Sequence, residues 1–134
     1  MEEYVFDVAL KRLDTQLYNH LSTTELEEII LVEFARDDYV EALQHFSLAT
    51  LKDAYFIFID TPMDICIQRV KLRMIHPMSS DDHYISEEAI QKFYTKQDIS
   101  AENMLVGAFR KIENSSSWSE FLKNIDNVVD DIFK

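Results

Sequence analysis

Arg69 and Arg73 stand four residues apart in the run YFIFIDTPMDICIQRVKLR, a spacing that projects two guanidinium groups from one face of a helix. Glu33 and Arg36 make a second pair, an acid at the end of the apolar run Ile29-Ile30-Leu31-Val32 with an arginine three residues on. A carboxylate so placed can accept a proton or simply pair with Arg36 at the surface, where the pair would contribute little. A third group, Asn114-Ser115-Ser116-Ser117, offers short polar side chains before a helix, which by itself describes a good turn. His76, Asp81, Asp82 and His83 are metal-ligand types, but neither histidine has a helical or zinc-finger spacing to the other, and a solvated loop explains them as well. Cys66 falls inside an amphipathic segment and reads as a small core residue before it reads as a nucleophile.

The elements that must position these residues are written in the changes of hydrophobic period. Tyr55 to Ile59 is aromatic and β-branched throughout, as in a strand covered on both faces of a parallel sheet. Asp60 ends the run, Thr61 can cap a helix, Pro62 suits its first position, and Asp64 lies near the positive end of the helix dipole. A strand therefore feeds a helix through a very short turn. Arg69 and Arg73 are thereby set just beyond the carboxyl end of a sheet, where open α/β folds bind ligands. Upstream, Phe6, Ala9, Leu10, Leu13, Leu17 and Leu21 predict a helix over residues 4–21. Ile29 to Val32 predicts a short buried strand, and Asp38 caps a helix whose inward stripe is Val40, Leu43 and Phe46 or Leu51. A strand, helix, strand order implies a right-handed crossover. Downstream, the polar segment IHPMSSDDHYIS is a loop, Ser86 caps a helix at Glu87, and Met104 to Ile112 predicts a last strand. Ser117 with Glu120 forms a capping box for the closing helix.

Composition narrows the function classes. A chain of 134 residues that is 47% hydrophobic is one domain, 1–134, with enough apolar surface for a core. Its net charge of -12 opposes nucleic acid and anionic membranes. No apolar run nears the roughly 20 residues of a membrane span, and the start MEEYVFD is acidic, so a cytoplasmic protein is expected. One cysteine excludes an internal disulfide and any multi-cysteine zinc site. The single glycine, Gly107, excludes both a Walker A loop and a dinucleotide fingerprint, since each needs several glycines to bring backbone N–H groups onto phosphates.

The run IDTPxxxCxxRVxxR resembles the strand, helix and lid-leading segment of the P-loop nucleoside and nucleotide kinases, the group that includes deoxynucleoside, thymidylate and dephospho-coenzyme A kinases. In that family the matching arginines reach nucleotide phosphates, so the resemblance assigns Arg69 and Arg73 to the phosphates and the lid. Ile29 to Glu33 is similar to the Walker B strand, and Glu33-Phe34-Ala35-Arg36 to the acid-x-x-arginine segment of deoxynucleoside kinases. It would make Glu33 the base that deprotonates an attacking hydroxyl and Arg36 its partner. Ile112-Glu113-Asn114-Ser115-Ser116-Ser117 is similar to the segment that lies against adenine, which places Asn114, Ser115 and Ser116 at the base. The implied fold is an incomplete three-layer α/β/α P-loop NTPase-like domain with a short parallel sheet of three strands. ATP and magnesium would be its cofactors by resemblance only, with no protein metal ligands and no cofactor expected on the isolated chain.

The sequence also departs from that family. It has no phosphate loop, no counterpart of the family's central first strand, and no arginine between Met74 and Ser86, where Asp81 and Asp82 place negative charge instead. Two readings of different classes follow. The chain is the carboxyl-terminal, N-terminally truncated portion of an ATP-dependent small-molecule kinase, inactive unless a companion chain brings the phosphate loop. Alternatively, it is a non-catalytic binding or structural module of kinase descent. A missing central strand implies self-association or a companion across the gap, because unpaired strand edges seek partners.

Overall fold

The structure, a computed structural model, describes residues 3–25, 27–80, 84–94 and 109–134. The chain divides into two compact units, a first within Met1–Ala54 and a second within Tyr55–Lys96 and Ala108–Lys134. The described residues form six helices and a two-stranded parallel sheet, a mixed α/β arrangement that is mostly helical. No helix among them is long and apolar enough to cross a membrane.

In the first unit, α1 spans Glu3–Thr23, longer than the apolar spacing alone predicts. The Ser22 and Thr23 hydroxyls donate to the carbonyls of Tyr18 and Asn19 and carry the helix past Leu21. Its less exposed stripe is Asp7, Leu10, Leu13, Asp14 and Leu17, with only Leu10 fully buried. The carboxylates on that stripe act as anchors. Asp14 accepts from the hydroxyls of Ser47 and Thr50, which ties α1 to the short α3 (Leu48–Leu51). Before it lies α2 (Tyr39–Leu43), capped by Asp38 as expected, with Tyr39, Ala42 and Leu43 buried. The single helix expected after Asp38 is thus two, because Ser47 accepts from the Thr50 amide and restarts the helix.

The strand expected at Ile29 to Val32 does not form. No backbone group of these four residues is hydrogen-bonded, and their exposure alternates at 70, 39, 91 and 39%. Strand propensity expresses packing on a pleated neighbour, and none is present here. Among the described residues the sheet accordingly has two strands where three were expected.

In the second unit, β1 (Phe56–Asp60) pairs in parallel with β2 (Phe109–Glu113), with Phe56 opposite Phe109 and Asp60 opposite Glu113. The first part of the last predicted strand, residues 104–108, lies outside the described residues. On one face the Phe56 and Phe109 rings stack with centroids 5.7 Å apart, and Phe58 is buried beside them. On the other face α6 (Trp118–Ile132) packs on β2, with Ile112 and Phe121 buried. Two strands alone are marginal in water, so these helices and rings make the sheet viable. Each buried phenylalanine contributes about 2–3 kcal/mol. Arg110 reaches Asp131 of α6 at 3.0 and 3.3 Å, and that hydrogen bond with the arginine's charge holds the Asp131 carboxyl below its ordinary range. α4 (Met63–Ile75) follows β1 and packs with α5 (Glu87–Tyr94), helped by an ion pair from Lys71 to Glu87. Helix α4 begins one residue later than the capping pattern predicts: Pro62 occupies the cap, and Thr61 is not the capping side chain.

Candidate functional site at the carboxyl end of the parallel strands

The register that sets Asp60 beside Glu113 brings the Asn114 segment beside the turn that leads into α4, the helix that carries Arg69 and Arg73. The Asn114 amide donates to the Asp60 carbonyl at 2.7 Å and locks the base-type loop against the strand that leads into α4. Asn114 is half-buried, while Ser115 and Ser116 are exposed, and the Ser115 hydroxyl donates to Glu113 Oε1 at 2.9 Å. Ser117 caps α6 by accepting from the Glu120 amide, so this serine serves the helix. Lys111 Nζ lies 2.7 Å from Asp60 Oδ2, which offsets one of the two acids at the strand ends.

Arg69 is half-buried and Arg73 exposed on α4. Neither forms an ion pair among the described residues. Their charge is felt at Cys66. Burial pushes its thiol above the ordinary value, the positive charges of Arg69 and Arg73 pull it back in part, and Asp60 and Asp64 push it up further. The charges of both arginines, Asp60 and Asp64 thus all act on this thiol. A thiol in that state is no ready nucleophile, and its Sγ sits 3.7 Å from the Thr61 carbonyl.

Glu33 and Arg36 belong to the first unit and do not pair with each other. Glu33 is exposed, in irregular chain, and bonds nothing among the described residues. Arg36 is only 5% exposed. Its Nη1 donates to Asp7 Oδ1 at 3.0 Å and its guanidinium lies 5.6 Å over the Phe6 ring. His45 Nε2 is 3.2 Å from the same oxygen, within ion-pair reach, yet it is buried and not aligned for a hydrogen bond. An arginine buried on its own carboxylate and ring holds α1 to the segment before α2. That use is structural, and it leaves Glu33 without the partner the acid-x-x-arginine pattern implies.

The cleft between α4 and α5 is lined by Ile67, Val70, Met74, Tyr84, Ile85 and Ile90, at about 110 Å³. Small-molecule sites enclose about 300–1,000 Å³, so this one does not hold a nucleotide. No group of three metal-ligating side chains occurs among the described residues, and Asp81, Asp82 and His83 lie outside them. His76 is exposed. The residues present do not fit a magnesium triphosphate, because the sequence has no glycine-rich phosphate loop and the described residues hold no cluster of acids for the ion.

Asp7, His45 and Lys111 were not among the residues singled out from the sequence. Asp7 carried a usable signal, since a carboxylate three residues before Leu10 on the inward stripe of α1 needs a buried partner. Lys111 carried one too, standing two residues before Glu113 on a strand whose acidic end needs a counter-charge. His45 carried none. No protein family, characterised protein or solved structure matches the chain.

Proposed function

We propose that this chain is a non-catalytic binding module of P-loop kinase descent, an incomplete α/β/α NTPase-like fold that has kept the nucleotide-facing end of its sheet and lost the catalytic one. The observation that carries this reading is the contrast within the sequence-assigned site. Asn114, Ser115 and Ser116 follow directly on the paired strand ends and α4 carries Arg69 and Arg73 without an ion pair among the described residues, whereas Arg36 is buried on Asp7 and Glu33 stands alone. Phosphoryl transfer depends almost wholly on positioning and on charge around the transferring group. One glycine cannot build the loop that supplies both. On this reading Asn114, Ser115 and Ser116 would meet an adenine-type base and Arg69 and Arg73 its phosphates.

The kinase reading survives in one form, as the carboxyl-terminal part of a small-molecule kinase completed by a companion chain that brings the phosphate loop. The two unpaired arginines favour it. A phosphoryl-transfer assay with ATP, magnesium and a panel of nucleosides tests the proposal. No product above the no-protein control is expected from the isolated chain. Transfer that disappears in Glu33→Gln would overturn the non-catalytic reading.

A further inference from the structure

The described residues hold two complementary unpaired features. The first is an edge. In a strand the N–H and C=O of one residue point to the same side, and Asp60 accepts from Asn114 on the β2 side. Phe56, Phe58 and Asp60 therefore bond toward β2, and Ile57 and Ile59 present their N–H and C=O groups to the opposite edge. Among the described residues no hydrogen bond is formed there. The side chains of Ile57 and Ile59 are 38 and 48% exposed, so the edge is flanked by apolar surface. Such an edge recruits strands unless it is charged or covered.

The second feature is Ile29-Ile30-Leu31-Val32, whose alternating exposure is that of an extended segment and whose backbone groups are all unbonded. It has strand composition and no strand partner. We propose that Ile29–Val32 of one copy adds to the Ile57–Ile59 edge of a second copy as a third, parallel strand. Charge selects the direction. A parallel segment ends with Glu33 at the carboxyl end of β1, the end from which the chain enters α4 with Arg69 and Arg73, neither of which has an ion pair among the described residues. An antiparallel one would bring Glu28 there, and Glu28 is already held by His20 at 2.6 Å. Donor and acceptor lie on one chain, so the contact is head-to-tail and builds a reciprocal dimer, a ring or an open filament. Main-chain hydrogen bonds supply the affinity of such strand addition, and the alternate apolar side chains its register.

Sedimentation velocity of the full chain over a concentration series, in about 0.15 M salt where charges are screened beyond about 8 Å, tests this. A species larger than the monomer is expected. Ile57→Pro removes an N–H that only the open edge uses, and proline is tolerated on an edge strand in that position. Ile30→Pro with Leu31→Pro removes a donor whichever way the segment faces, at residues that bond nothing in the single copy. Each variant should dissociate at least about tenfold more readily, the equivalent of a hydrogen bond or two. An equimolar mixture of the two should reassemble at high concentration, because one keeps its donor and the other its edge. If Ile57→Pro does not fold by circular dichroism, the Ile30→Pro/Leu31→Pro variant alone decides. A wild-type monomer at every concentration, assembly unchanged in that double variant, or a monomer whose Ile57 and Ile59 amides resist hydrogen exchange would each overturn the proposal. None of these results bears on nucleotide binding, which the open end of the sheet determines separately.

Discussion

Two arginine sites of this chain look alike in sequence and differ in everything physical. Arg36 is buried, bonded to Asp7 and stacked over Phe6, whereas Arg69 and Arg73 lie on α4 with no carboxylate in ion-pair reach among the described residues. A buried arginine with a partner is committed to the fold, because separating the pair strands a charge away from water. An unpaired arginine on a helix surface is free to meet a ligand. The difference teaches that an acid-x-x-arginine spacing has no chemical meaning until the arginine's nearest carboxylate is known.

Breaking the committed site should give the largest effect. Asp7→Ala leaves Arg36 buried without its counter-charge and is expected to destabilise the chain by about 3 kcal/mol or more, read as a lower urea midpoint. A change below about 0.5 kcal/mol, the usual surface effect, would mean that Arg36 is solvated. Phe58→Ala tests the unit that carries the open site. Phe58 is 4% exposed beside the stacked rings, and about 3 kcal/mol should be lost through the cavity left behind. The midpoint would stay put if β1 were not the centre of its unit.

Changing both Arg69 and Arg73 to Ala should move stability by no more than about 0.5 kcal/mol, since neither side chain has a pairing to lose. A fall as large as that of Asp7→Ala would erase the distinction between the two sites. The smallest effect is at Cys66. Burial raises its thiol pKa, so alkylation by iodoacetamide should be slow at neutral pH and accelerate only above the usual thiol range. Both arginines lower that pKa, and removing them should slow alkylation further at fixed pH. Faster alkylation in the double variant would show that screening by the side chains, not their charge, controls the thiol.

The local signals were the legible part of this chain. Asp38, Ser86 and Ser117 each accept from an amide three residues on and start α2, α5 and α6, because a cap depends only on its own turn. Tyr55 to Ile59 reads as a strand by composition, and β1 forms at Phe56–Asp60 because β2 is there to pair with it. Ile29 to Val32 has equally good composition and is no strand, since strands depend on a neighbour that composition does not name. In the site, the gathering of Asn114 with the start of α4 followed from the strand order, while the loss of Arg36 to Asp7 did not, because twenty-nine residues separate them.

The claim that an open end remains while the catalytic end is gone meets its most direct test in a calorimetric titration of the chain with ATP, with and without magnesium. The field around Arg69 and Arg73 includes Asp60 and Asp64, and the whole chain carries -12, so a triphosphate is repelled overall. Millimolar affinity, worth about 4 kcal/mol, is expected, unchanged by magnesium and weaker still in the Arg69→Ala/Arg73→Ala variant. Micromolar binding that requires magnesium would contradict the account, since it would mean that another segment of the chain does the work of the missing phosphate loop.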